Sequence, residues 1–300
     1  MNIKTTPPSI FRWGRFSFLQ QLFVLCLATA RAFSQSPTLL VCDELTESSG
    51  VCVGESGVIW THNDSGGKPV IYGFSDSGRL LSKVTVNGAR AVDWEDICSF
   101  RVGKNSYLAI ADVGDNLAKR KQVEIYVVPE PKLTGPAPTA PTELSVRCAV
   151  TLSVTYDSGP VNCEAIGYDP VRKTFVLPSK EPTRCQLFEV DAKKLVGRVS
   201  ATAKATQSLF LPLATGADIS PDGQHLVLCS YGPGWLLSRT PDNDQWAIET
   251  PKLFKLPARR QGEAICFTAD SRRLLLTSEF APTPLHSIAC PGLPKTKDSR

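Results

Sequence analysis

Five acids recur in one setting along the 300-residue chain, each at the edge of a short apolar run. They are Glu47 in TESSGV, Glu95 in DWEDIC, Glu164 in VNCEAIGYD, Asp218 in ATGADISPDG and Glu263 in QGEAICFTAD. A carboxylate beside a buried strand must reach water, accept hydrogen bonds or hold a cation, because burying it unpaired is too costly. A second polar set follows further on in each segment: Asn63, Asp64 and Ser65; Asp112, Asp115 and Asn116; Lys180 and Glu181; Tyr231; Glu279. Hard oxygen donors of this kind suit Ca²⁺, which takes about 6–8 of them in flexible geometry. Two plainer readings stand beside that one. NDSGG and DVGDN are ordinary turn sequences, and a carboxylate at a strand start can simply accept backbone N–H bonds from a neighbouring sheet.

The elements that must position these groups are strands. The acids lie 48, 69, 54 and 45 residues apart, close to the repeat of roughly 40–50 residues of a propeller blade. After each acid come further short runs in the same order. Second runs are GVIWTHND, SYLAIADVGDN, TFVLPSKE, HLVLCSY and LLLTSE, and third runs are PVIYGFS, VEIYVVPE, CQLFEVD, GWLLSRT and PLHSIA. Fourth runs are LLSKVTV, CAVTLSVTY, SLFLPL and KLFKL. They are rich in β-branched and aromatic residues and bounded by Gly, Pro, Asp and Asn, with no long helical period.

The expectation is an all-β propeller of five four-stranded blades over residues 38–290, with six blades as the alternative. The last repeat lacks a fourth strand, and PTLLVCDEL ahead of Glu47 is the spare one that closes the ring and covers an open edge. The Pro-rich PEPKLTGPAPTAPTEL reads as a surface loop, and residues 291–300 as a disordered tail.

Residues 1–32 read as an export signal: Lys4, Arg12 and Arg15 precede the apolar run FSFLQQLFVLCLATA, and Ala30-Arg31-Ala32 forms the cleavage site. The alternative is an uncleaved anchor, but the run is shorter than the roughly 20 residues a spanning helix needs. The protein is then periplasmic or secreted, with no transmembrane helix after cleavage. Without this segment basic and acidic residues balance, which argues against nucleic acid and anionic membrane surfaces as partners. Nine cysteines remain once Cys26 is removed, an odd number with no C-x-x-C and no zinc spacing.

WTHNDSGG at 60–67, DWEDI at 93–97, ADVGDN at 111–116, EAIGYDP at 164–170, DISPDG at 218–223 and GEAICFTADSRRLLLTSE at 262–279 together resemble a group of secreted bacterial β-propellers related to the phytase-like esterase propellers. The resemblance implies a calcium site at the channel top, with Glu47, Glu95, Glu164, Asp218 and Glu263 matching the acids in kind. Asp64, Asp112 and Asp115 are further candidate metal ligands, and Asn63, Asn116, Tyr231 and Glu279 candidate ligand contacts. Basic residues are sparse, with Cys229 where a phosphatase would place an arginine. Lys180 is the clearest cation on that face, and His62 a candidate base. Trp94 reads as a wedge between blades or a stacking platform.

Two functions follow. One is an exported, monomeric binding or scaffold protein whose calcium-loaded mouth takes a small-molecule, phosphoester, glycan or protein ligand. The other is a calcium-assisted phosphoesterase. A third reading makes the acid ring purely structural. No nucleophile elbow, P-loop or dinucleotide fingerprint is present in the sequence.

Overall fold

The computed structural model of the chain describes residues 36–133 and 140–292. The proposed signal, residues 1–32, lies outside them, as does the tail beyond residue 292. The described residues form strands and turns, and no helix among them is long and apolar enough to cross a membrane.

Strand β1 (Thr38–Leu40) precedes five consecutive units. Unit one holds β2 (Ser48–Val53), β3 (Ile59–Asn63), β4 (Val70–Phe74) and β5 (Leu80–Asn87). Unit two holds β6 (Trp94–Val102), β7 (Asn105–Asp112), β8 (Val123–Pro129), β9 (Thr142–Arg147) and β10 (Val150–Tyr156). Unit three holds β11 (Gly167–Asp169), β12 (Thr174–Pro178), β13 (Cys185–Asp191) and β14 (Gly197–Leu209). Unit four holds β15 (Ala214–Ile219), β16 (His225–Ser230), β17 (Gly234–Ser238) and β18 (Lys252–Phe254). Unit five holds β19 (Ala264–Phe267), β20 (Arg273–Thr277) and β21 (Thr283–Ala289).

Within each unit the strands pair antiparallel from the first strand outward, with β9 of unit two the exception. The first strands β2, β6, β11, β15 and β19 touch one another in a closed cycle, a propeller-like arrangement around an axial channel. Apolar clusters fill every seam of the cycle: Trp60 and Trp94 between units one and two, Phe100 and Phe175 between two and three, Leu187 and Leu228 between three and four. Val227 and Phe267 fill the seam between four and five, and Phe74 and Cys266 that between five and one. Each sheet is therefore buried on both faces, which explains why its strands read as near-continuous apolar runs instead of alternating ones. Strand β12, TFVLP, is buried at every position. A fully buried large apolar side chain contributes roughly 1.5–3 kcal/mol, so these seams hold the ring together.

Three outer pairings join units that the sequence keeps apart. Strand β1 pairs antiparallel with β21, Leu39 opposite Pro284. Strand β9 leaves unit two and pairs parallel with β5, from Ser82 opposite Thr142 to Asn87 opposite Arg147. Strand β10 pairs antiparallel with β8 and parallel with β14, fusing units two and three into one eight-stranded sheet. Two of these elements depart from the sequence reading. The end of the expected Pro-rich loop is strand β9, and the fourth strand of unit three is the 13-residue β14 instead of SLFLPL at 208–213.

Candidate metal centre

The site begins with β-bulges. Between Trp94 and Asp96 the β6–β7 register shifts, leaving Glu95 as the extra residue. A bulged residue is freed from the ladder and its side chain re-aimed. The same shift falls at Ser49 in unit one and Thr215 in unit four. There the side chains are hydroxyls that bind the next unit: Ser49 Oγ donates to Glu95 O at 2.6 Å and Thr215 Oγ1 to Gly262 O at 2.8 Å.

Glu95 instead sends a carboxylate to the mouth, where it meets Asp93 and Asp64. One carboxylate oxygen from each of the three lies within 4.8 Å of the others. Glu95 is only 5% exposed, yet among the described residues no group donates a hydrogen bond to its carboxylate or to that of Asp93. Asp64, at the turn after β3, takes only the Ser65 N–H, at 2.5 Å. Burial raises the pKa of all three. Glu164, Asp64 and Asp93 raise Glu95 further, against the opposing pull of Lys180. Gly114 shapes the other side of the cluster. A Cβ there would stand 2.1 Å from Glu95 Oε1 and 2.5 Å from Asp93 Oδ2, so only glycine lets the carboxylates approach this backbone.

Arg120 braces this cradle: Nη1 donates to Gly114 O at 2.8 Å and Nη2 to Asp112 Oδ1 at 2.8 Å. Asp112 also accepts the N–H groups of Val92 and Asp93, and Asp115 Oδ2 that of Arg120 at 2.6 Å. Asp112 and Asp115 thus fasten the loops around the cluster and stand outside it.

A second polar network lies across the mouth. Lys180 forms an ion pair with buried Glu164 and donates to Tyr231 Oη at 3.2 Å. Tyr231 in turn donates to Glu263 Oε1 at 2.9 Å. Asn162 Nδ2 donates to Glu164 Oε1 at 3.0 Å and to Asn116 Oδ1 at 3.3 Å. Burial pushes Glu263 up to about 7 even though Lys180 and Tyr231 favour its charged form. Burial and the Glu263 charge push Tyr231 up to about 12. Burial works against the Lys180 charge, but Glu164 outweighs it and the pKa rises.

The other sequence candidates join neither group through a side-chain hydrogen bond, although the Asp64 N–H donates to Glu47 O at 2.9 Å. Glu47 is exposed and bridges in backbone to Glu279, whose own pKa is raised by burial and by Asp64 and Glu47. Asn63 clamps the incoming chain, accepting the N–H groups of Thr46 and Glu47 and donating to Glu44 O at 2.6 Å. Asp218 sits deeper in the channel and accepts the N–H of Ile219 at 2.8 Å and of Phe267 in the next unit at 2.9 Å. Burial pushes it up to about 7. His62 lies fully buried within β3, its ring edge-on to Trp94 at 5.4 Å between centroids. Burial pushes its pKa down to about 4. Trp94 is a buried wedge, 1% exposed, whose Nε1 donates to Arg90 O at 2.7 Å.

Sequence reasoning passed over Asp93, Gly114, Arg120 and Asp96. Asp96 Oδ1 takes the N–H of Ile97, and Oδ2 those of Ile166 and Ala217, so one buried carboxylate ties units two, three and four. The signal for Asp93 and Asp96 was present in the three acids of VDWEDIC.

No protein-family model matches the chain, and no curated protein matches it. Among solved structures it is similar to a candidate 6-phosphogluconolactonase from Bacteroides uniformis, at TM-score 0.41 and 14% identity over 83% of this chain and 69% of that one. It is also similar to the Dos1 propeller, at TM-score 0.38 and 9% identity over 80% of this chain and 68% of that one. Likenesses at this level carry no argument about activity.

Proposed function

We propose that the chain is an exported binding protein, a propeller of five four-stranded blades closed by its N-terminal strand. Its channel mouth holds Ca²⁺ through Asp64, Asp93 and Glu95 and presents that ion to an oxygen-rich ligand. The observation that carries this reading is Glu95, a buried carboxylate with no hydrogen-bond donor beside two further acids. A cation relieves both the desolvation and the mutual repulsion that such a group otherwise suffers. Three carboxylates fill part of a shell of about 6–8 oxygens, which leaves positions for water and for a ligand's phosphate, carboxylate or hydroxyl groups. Export rests on the basic and apolar pattern of residues 1–32. The five-blade count rests on the closed cycle of first strands and the β1–β21 pairing.

The network of Lys180, Tyr231 and Glu263 favours a second reading, a calcium-assisted phosphoesterase. An acid with a pKa of about 7 suits proton transfer at neutral pH, and the ion would polarise phosphate. Calorimetric titration of the purified protein with calcium tests the primary reading: binding heat in the wild type, lost in Glu95→Gln, is expected. Loaded protein is then offered a generic phosphomonoester. Turnover that disappears in Glu263→Gln establishes the enzyme, and no turnover by a calcium-loaded wild type leaves the binding protein.

A further inference from the structure

The first strands run from the acidic mouth to the opposite end of the channel, where they enclose a second, unrelated space. From Glu95 to Phe100 on β6 is five residues, about 16 Å at strand rise. At that far end lies a cavity of about 200 Å³ to which all five first strands or their ends contribute, among them Cys52, Phe100, Arg101, Tyr168, Asp218 and Phe267. Its lining is mainly apolar. Phe100 and Tyr168 stack with ring centroids 4.5 Å apart.

Two charges of opposite sign at the rim cancel, because Arg101 Nη1 pairs with Glu55. That leaves the Asp218 carboxylate as the one uncompensated acid lining the cavity. It is partly exposed. Each of its oxygens accepts one backbone N–H and retains a lone pair for a second donor. An apolar cavity of about 150 Å³ accommodates one benzene ring, so this one takes a single ring with a short tail. A cationic head in this cavity would meet the Asp218 carboxylate, which attracts ammonium.

We propose that this end of the channel is a second binding site, for a small primary amine bearing one aromatic or branched apolar group. The amine donates to Asp218, and its apolar body packs against Phe100, Tyr168 and Phe267. The site is independent of the calcium reading, since none of these residues belongs to the mouth cluster.

Phenethylamine is the probe, and 3-phenylpropionate, similar in shape but opposite in charge, is the comparator. Calorimetry and thermal melting are run on the full protein at pH 8. Phenethylamine is expected to bind and raise the melting midpoint, while 3-phenylpropionate does neither. Asp218→Asn is expected to weaken the amine by about tenfold or more, through loss of a charge-assisted contact. Ala269→Trp, at an exposed rim position, is expected to plug the cavity and abolish binding; it carries the test alone if the Asp218 variant does not fold. The proposal is overturned if folded wild type ignores millimolar phenethylamine, if the phenylpropionate binds equally well, or if Ala269→Trp binds the amine unchanged.

Discussion

Neutralising Asp93 separates a cation site from a structural fastener by the sign of its effect. The three carboxylate oxygens lie within 4.8 Å of one another, and two charges at that separation repel by about 3.5 kcal/mol at an effective dielectric of about 20. Asp93→Asn removes two such repulsions, with Glu95 and with Asp64. Partial protonation, which the raised pKa values of all three require, lowers the net relief to about 1–3 kcal/mol. In chelator the variant is therefore expected to melt several degrees above wild type, at about 2–4 °C per kcal/mol for a domain of this size. Calcium reverses the order. At a hundred times its dissociation constant an ion bound only by the folded state adds about 2.7 kcal/mol, so the wild-type midpoint climbs by about 5–11 °C while the variant barely moves. The assay is a melt of both proteins in chelator and across a calcium series. A variant that melts below wild type in chelator, with a wild type indifferent to millimolar calcium, would refute the reasoning and mark the cluster as part of the scaffold.

Three further outcomes follow from other contacts. Asp218 and Glu263 are each pushed to about 7 from ordinary values of 3.8 and 4.5. The fold thus retains protons that the unfolded chain has lost, a contribution fully present below about pH 4 and lost as pH rises through about 7. At about 1.4 kcal/mol per pKa unit, Glu263 alone contributes on the order of 3 kcal/mol, so urea midpoints in chelator should be higher at pH 5 than at pH 8; a rising profile would contradict the assignment. Arg239→Met leaves Asp169, its fully buried partner at 2.7 Å, without its counter-charge and should cost about 3–5 kcal/mol in denaturant melts. Asp96→Ala strips three backbone N–H groups in three units of their acceptor and should cost about 3 kcal/mol or more, whereas a change below about 1 kcal/mol would show that water replaces the carboxylate.

Much of the architecture was legible because burial on both sheet faces writes itself into runs such as HLVLC and RLLLT. Strands β9 and β14 escaped because their sequences, TELSVR and GRVSATAKATQSL, are polar and alternating. Long-range parallel partners stabilise them, and composition carries no trace of those. The repeating acids were visible, but their equivalence was not. A one-residue bulge puts Glu95 in the mouth, whereas Asp218, lacking a shift at its own position, lies at the channel level of Cys98 and Cys52. His62 looked like a loop-end base because HND reads as the start of a turn. The strand runs on to Asn63, and the ring lies beneath Trp94. The pairing of Lys180 with Glu164 joins residues 16 positions apart across the β11–β12 hairpin and its Cys163–Ser179 bridge, and only the closed ring adds Tyr231 and Glu263 to them.

The outer pairings leave the ring with unequal seams. Backbone ladders bind unit one to unit two through β5 and β9, and unit two to unit three through β10 and β14. Among the described residues no outer ladder joins unit four, whose last strand β18 has three residues and pairs with β17 alone. Its seams rest on side chains, such as the reciprocal bonds of Gln207 with the Trp246 backbone. Local opening concentrates where few backbone bonds resist it, so amide exchange should be fastest in β17 and β18 and slowest in the fused eight-stranded sheet. Unit four also carries Tyr231 at one end of the channel and Asp218 at the other, so one breathing motion would loosen both ends at once.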